Sequence, residues 1–146
     1  MNTHTAHNVT DLAAPTGKSF TRHFPAVARV LMGLPLAVFG LNAFLNFIPQ
    51  PTTPMPEGAT AFLGALMKSG YMMQLIGATQ LITGAFLLTN RFVPLALALF
   101  APFIVNSIAF HVFLEPSGLP LAIVVSVLSL VVLAYHRPSF AGLVKA

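Results

Sequence analysis

"YMMQLIGATQLITGAFLLTNRFVPLALALFAPFIVNSIAFHVFLEPSG" occupies residues 71–118, and its reading decides the fold. It holds two apolar runs, 71–89 and 93–114, separated only by "NRF". Each is close to the ~20 helical residues that cross a hydrocarbon core. Arg91 sits between them, and the one other full charge, Glu115, lies at the far end. Spanning strands alternate polar and apolar residues over ~10 positions, and neither run does. A connection this short sets consecutive helices side by side and antiparallel. The stretch therefore reads as a transmembrane helical hairpin.

The same signature recurs on both sides. Residues 27–48, "VARVLMGLPLAVFGLNAFLNFI", form a first span, and residues 119–135, "LPLAIVVSVLSLVVLAY", form a fourth. "PQPTTPMPEG" at 49–58 ends the first span, because its prolines cannot continue a helix. "EPSGLP" at 115–120 is a tight turn, with Pro120 suited to a first helical turn. Between the proline loop and the second span, Phe62, Leu63, Leu66 and Met67 recur at helical spacing. They predict a short amphipathic helix on the membrane face. The expected architecture is all-α: an integral membrane four-helix up-down-up-down bundle, with that short helix between the first two spans. Residues 1–24 are expected as a mobile cytoplasmic tail, 25–137 as the four-helix domain and 138–146 as a short cytoplasmic tail.

Composition agrees. Of 146 residues, 56% are hydrophobic and 7% charged, against about 25% charged in soluble domains. The length fits one small domain. The absence of cysteine excludes thiolate catalysis, disulfide exchange and cysteine metal sites. The net charge of +4 comes from dispersed residues rather than a cluster, so it offers no nucleic-acid face. His4 and His7 lack a third ligand and make a poor metal site. Lys18, Arg22, Arg29, Arg91, Arg137 and Lys145 all fall on one side, with Lys68, Glu57 and Glu115 on the other. The positive-inside rule then puts both termini in the cytoplasm.

Polar side chains mark the candidate site. At 1.5 Å rise per residue, Asn42, Gln74 and Asn106 share one level in the outer half, and Asn46, Tyr71 and His111 share the next. Ser107, His111 and Glu115 form a stripe on one helix face, and Asn106 points away from it. These residues are the candidate ligand-binding set: Asn42, Asn46, Tyr71, Gln74, Asn106, His111 and Glu115. Gln80, near the midplane, is a secondary candidate. It shares a face with Gly77 and Gly84, so it is expected to point into a helix contact and bond across it. The small residues Gly33, Ala37 and Gly40, Gly77 and Gly84, and Ala122, Ser126 and Ser129 mark close helix packing. No catalytic triad, phosphate-cradling loop or metal cluster emerges. Bis-histidine haem ligation is disfavoured, because His23 and His136 lie at the inner side and His111 at the outer.

The ordered elements "LAVFGLNAFLNFIPQP", "AFLGALMKSGYMMQLIGATQLITGAFLLTNRFVPLAL" and "PFIVNSIAFHVFLEPSG" resemble the DoxX family of small bacterial membrane proteins, particularly its DoxX-like branch. The resemblance covers residues 27–135. It implies a four-helix bundle in the bacterial inner membrane and a link to quinone-coupled or oxidative-stress systems. It supplies no catalytic residues. In the family pattern an acidic residue is common about where Gln80 stands, and its absence weakens a proton-linked role there.

Three functions follow as expectations. The first is a non-catalytic or accessory subunit of a membrane redox or stress system, with a membrane-protein partner or as a homo-oligomer. The second is binding of a quinone- or lipid-like molecule in the outer half. There His111 would donate to a carbonyl, and Phe44, Phe110 and Phe113 would pack a ring. The third is a small transporter acting as an oligomer. No cofactor is evident, although a quinone fits the second reading.

Overall fold

The structure is a computed structural model that describes residues 18–49, 53–138 and 140. Its described residues are helical, with no strand among them. The helices are α1 (Lys18–Leu45), α2 (Glu57–Lys68), α3 (Met72–Thr89), α4 (Val93–Phe113) and α5 (Leu119–Tyr135). A single 3-10 turn, Pro116–Gly118, joins α4 to α5. Of the expected tails, residues 1–17, 139 and 141–146 lie outside the described residues. Residues 18–24, expected in the N-terminal tail, instead form the first two turns of α1. The helix runs through Pro25, and its stretch apolar enough to cross a membrane is His23–Leu45.

Four helices are long and apolar enough to cross a membrane. At most a third of each membrane-length window is buried by the rest of the chain. Leu34, Val105, Leu121 and Leu130 are among the many large apolar side chains left exposed. Helices that are apolar all round yet largely uncovered need lipid as their outer solvent. The chain is thus built as a multi-pass membrane protein.

α1 packs on α3 and α5, and α4 packs on the same two helices. The tightest contact is α1 with α3. Gly33 faces Gly84, Leu87 and Leu88, while Gly40 faces Gly77 and Leu81, so these two helices run antiparallel. A β-carbon on Gly84 would lie 2.6 Å from the Ala37 amide nitrogen and 2.7 Å from the Gly33 carbonyl oxygen. Only residues without side chains permit that approach. Lipid is as apolar as leucine, so close backbone packing rather than hydrophobicity holds such a seam.

The turn between α3 and α4 explains why three residues suffice. Asn90 ends α3 in the left-handed conformation (φ 56°), and its amide and that of Arg91 satisfy the Leu87 and Phe86 carbonyls. This is a helix-ending role that asparagine fills. Phe92 is also left-handed (φ 53°) and packs against Phe86 at 5.4 Å.

Packing is uneven along the helices. Ala28, Met32 and Leu36 of α1, Leu87 of α3, Val93, Ala96, Leu97 and Phe100 of α4 and Val132 of α5 form one closed core. All lie toward the end where α1 begins and α3 turns into α4. Ser129 adds a hydroxyl 3.8 Å from the Met32 sulfur. The other end has no comparable core. There α2 covers part of α4: Phe62 stacks obliquely on Phe110 at 5.7 Å, and Gly58 faces Leu114. Phe62, Leu63 and Leu66 are half-buried, whereas Met67 is exposed.

Candidate functional site

A cleft of about 510 Å³ lies between α1, α4 and α5, with Gln80 of α3 also lining it, and runs from the edge of the closed core at Met32, Leu36 and Phe100 into the loosely packed half. Its walls are almost entirely apolar, including Leu36, Phe39, Phe103, Ile104 and Val125. Three polar side chains line it: Gln80, Ser107 and His111. Ser107 and His111 are one turn apart on α4 and therefore share a face. Gln80 faces the cleft and makes no hydrogen bond to any described residue. The expected interhelical bond from Gln80 is not formed.

The contrast with other hydroxyls is informative. Thr79, Thr89, Ser126 and Ser129 each bond a carbonyl one turn back on their own helix. That is the ordinary resting state of serine and threonine in apolar helices. Ser107 makes no such bond. Pro35 and Leu31 both line the cleft. Proline has no N–H, so Pro35 withholds the amide that the Leu31 carbonyl would otherwise accept.

His111 is fixed from outside the cleft. Its Nδ1 lies 2.8 Å from the Glu115 carbonyl oxygen and 3.2 Å from the Glu115 carboxylate. A carbonyl only accepts, so Nδ1 carries the hydrogen and donates it. In the neutral ring Nε2 is then an acceptor. The expectation that His111 donates to a ligand carbonyl is reversed by this bond: the free nitrogen of neutral His111 accepts. The imidazole also lies directly over Gly118, where a β-carbon would overlap it. Glu115 in turn accepts from the Ser117 hydroxyl and from the Gly118 amide at 3.2 Å, ordering the turn. The Ser117 hydroxyl, with the Gly118 and Ser117 amides and His111 adding to it, holds the Glu115 carboxyl below its ordinary range.

The other sequence candidates do not gather here. Asn42 accepts a 2.7 Å bond from the Ile48 amide, tying down the chain after α1. Asn46 follows α1 with φ 50° and is exposed. Both serve the helix ending. Tyr71, Gln74 and Asn106 are exposed, with Tyr71 preceding α3 as its cap residue. Shared depth did not mean shared direction. Nor do the named aromatics close a ring pocket: Phe113 is 81% exposed and Phe44 46%. Phe110 packs under α2 and edge-on to His111. The cleft draws its aromatic wall from Phe39, Phe100 and Phe103, the last two stacked at 5.2 Å. The spacing of Phe100 and Phe103 with Ser107 on one face of α4 is the signal that would have found those two.

A second, purely groove-like hollow of about 550 Å³ lies between α4 and α5. No group of three or more histidine, aspartate or glutamate side chains suited to a metal occurs among the described residues. Comparison with family models, with curated proteins and with solved structures finds no match for this chain.

Proposed function

We propose that this protein is a DoxX-like membrane subunit that holds an amphipathic, quinone- or lipid-like molecule in the cleft between α1, α4 and α5. The observation that carries the reading is an apolar cleft of about 510 Å³ that holds the unpaired side chains of Gln80 and Ser107 and is also lined by His111, whose Nδ1 alone is engaged. Small-molecule sites are mostly apolar with a few convergent polar groups. An unpaired polar group facing a lipid-like space is costly, and a ligand head group relieves that cost. Because the free nitrogen of neutral His111 accepts, the head group that meets it carries a hydroxyl or another donor. Ser107 and Gln80 can both donate and accept, so a carbonyl is accommodated deeper in the cleft.

The same reading includes the up-down-up-down arrangement of α1, α3, α4 and α5, supported by the antiparallel α1–α3 seam and the three-residue α3–α4 turn. It places both termini in the cytoplasm of a bacterium, with the cleft in the outer half of the inner membrane, as the Lys/Arg asymmetry indicates. A binding role without chemistry of its own suits an accessory subunit of a redox or stress system. The cleft would then present its molecule to a partner. The glycines expected at close helix contacts are used within the chain, on the α1–α3 seam.

Thermal shift in detergent with a short-chain quinol, the matching quinone and a monoacyl glycerol tests this reading. Stabilisation that shrinks in His111→Ala and Ser107→Ala supports it. Equal stabilisation of the wild type and both variants contradicts it.

A further inference from the structure

A different end of the molecule carries a charge that the cleft does not use. Arg29 lies on α1 one turn before Gly33 and on the same face, toward the end of α3. Gly33 faces Leu88, so Arg29 stands level with the α3–α4 turn. Its Nε and Nη1 are shut off inside the protein and have no hydrogen-bond partner among the described residues. A guanidinium is always charged and offers five donors in a planar fork. Removed from water without an acceptor, it is among the most costly groups a protein can hold.

The chain supplies no described counter-charge at that end. Its acids are Asp11, Glu57 and Glu115. Glu57 opens α2 and Glu115 sits in the α4–α5 turn. The contact of Gly58 with Leu114 brings both to the opposite end. Asp11 lies outside the described residues. The end of α3 contributes partial negative charge, yet no carbonyl there accepts from Arg29. Arg91 and Arg137 are exposed near the same membrane edge, and His136 closes α5 beside them. The nearby charges therefore have the sign of Arg29 rather than opposing it.

We propose that Arg29 is the core of an anion site that takes a phosphate group, supplied in the membrane by the head of an anionic phospholipid. Arg29 as a residue is half-buried rather than sealed, and Nη2 is not among its shut-off atoms, so that nitrogen is the one an anion can meet. A charge-assisted bond from Nη2 to a phosphate oxygen sets a negative charge against the guanidinium. Basic side chains at the membrane edge draw anionic lipid to the same place. The site is separate from the cleft, whose lining does not include Arg29.

The test uses the full chain, purified in a neutral detergent and stripped of lipid. Short-chain phosphatidylglycerol, phosphatidylcholine and inorganic phosphate are titrated separately, with melting temperature and native mass spectrometry as readouts. Phosphatidylglycerol is expected to raise the melting temperature and to remain bound in the mass spectrum, and phosphatidylcholine to do neither. Arg29→Gln should weaken the phosphatidylglycerol effect about tenfold, the loss expected for a charged hydrogen bond. Arg29→Lys should recover only part of it. A matching shift with inorganic phosphate alone identifies the anion rather than the lipid as the ligand. Should Arg29→Gln fail to fold, wild-type binding must still fall steeply with added salt. Binding of both lipids alike, or no lipid effect on the wild type, overturns the proposal. So does an Asp11→Asn variant that melts lower than the wild type without lipid and binds phosphatidylglycerol more strongly, since the tail carboxylate would then be the partner.

Discussion

Gly118→Ala is the substitution that separates a positioned His111 from an incidental one. Gly118 has φ −85° and ψ −5°, a conformation alanine adopts without strain. By backbone entropy alone the change should stabilise by about 0.4–1 kcal/mol. The structure predicts the opposite. The three atoms nearest the added methyl all belong to the His111 ring, with Nδ1 at 2.6 Å and Nε2 at 2.8 Å. Those separations lie well inside van der Waals contact, so the imidazole must rotate away. It then loses the 2.8 Å bond to the Glu115 carbonyl, about 0.5–1.5 kcal/mol. An off-rotamer position adds about 0.5–1.5 kcal/mol. After the entropy gain, a net loss of about 0–2.6 kcal/mol remains, centred at about 1.3. The assay is a double-mutant cycle of melting temperatures with Gly118→Ala, His111→Ala and both together. In the His111→Ala background the obstacle is gone, and Gly118→Ala should become neutral or stabilising. An equal penalty in both backgrounds would refute the placement of the ring over Gly118.

Other consequences are open to the same measurements. Gly84→Ala drives a methyl against the Ala37 and Gly33 backbones and should cost about 1–3 kcal/mol by parting α1 from α3. Gly64→Ala, where nothing lies within 4 Å, should instead stabilise α2 by up to about 1 kcal/mol. Thr83→Val should raise stability by about 1 kcal/mol, because the Thr83 hydroxyl is fully buried without a partner. An unchanged or lower melting temperature would mean that the hydroxyl has found one. The Glu115 carboxyl is held below its ordinary range, so its contribution is complete above its unfolded pKa and fades as pH falls through the lower folded value. Melting curves should show that acid loss in the wild type and a flatter profile in Glu115→Gln.

Much of the scaffold was legible because membrane helices announce themselves by length and apolarity. The span at 119–135 coincides with α5, and the run at 71–89 differs from α3 by one residue. The start of α1 was not legible, since Lys18 to Phe24 mixes polar and aromatic residues with no long apolar run. Depth was readable from residue counts, and it put polar groups in the loosely packed half. Direction around the helix was not. Asn42 and Asn46 looked like site residues because of their depth, but the chain needs them to leave α1 before the proline loop. Gln80 was read as helix glue from its glycine neighbours. The seam is so close that only Gly77 and Gly84 fit within it, and Gln80, three residues from one and four from the other, faces the cleft.

The central claim is that the cleft is a binding site rather than a packing gap. Photo-crosslinking tests it most directly, with a quinol analogue bearing a photoreactive tail, followed by peptide mapping. The account predicts adducts at cleft residues such as Phe39, Phe103 and Val124. Excess unlabelled quinol should suppress them, and His111→Ala should diminish them. Adducts spread evenly over outward residues such as Val30, Leu34 and Leu95, untouched by competitor, would contradict it.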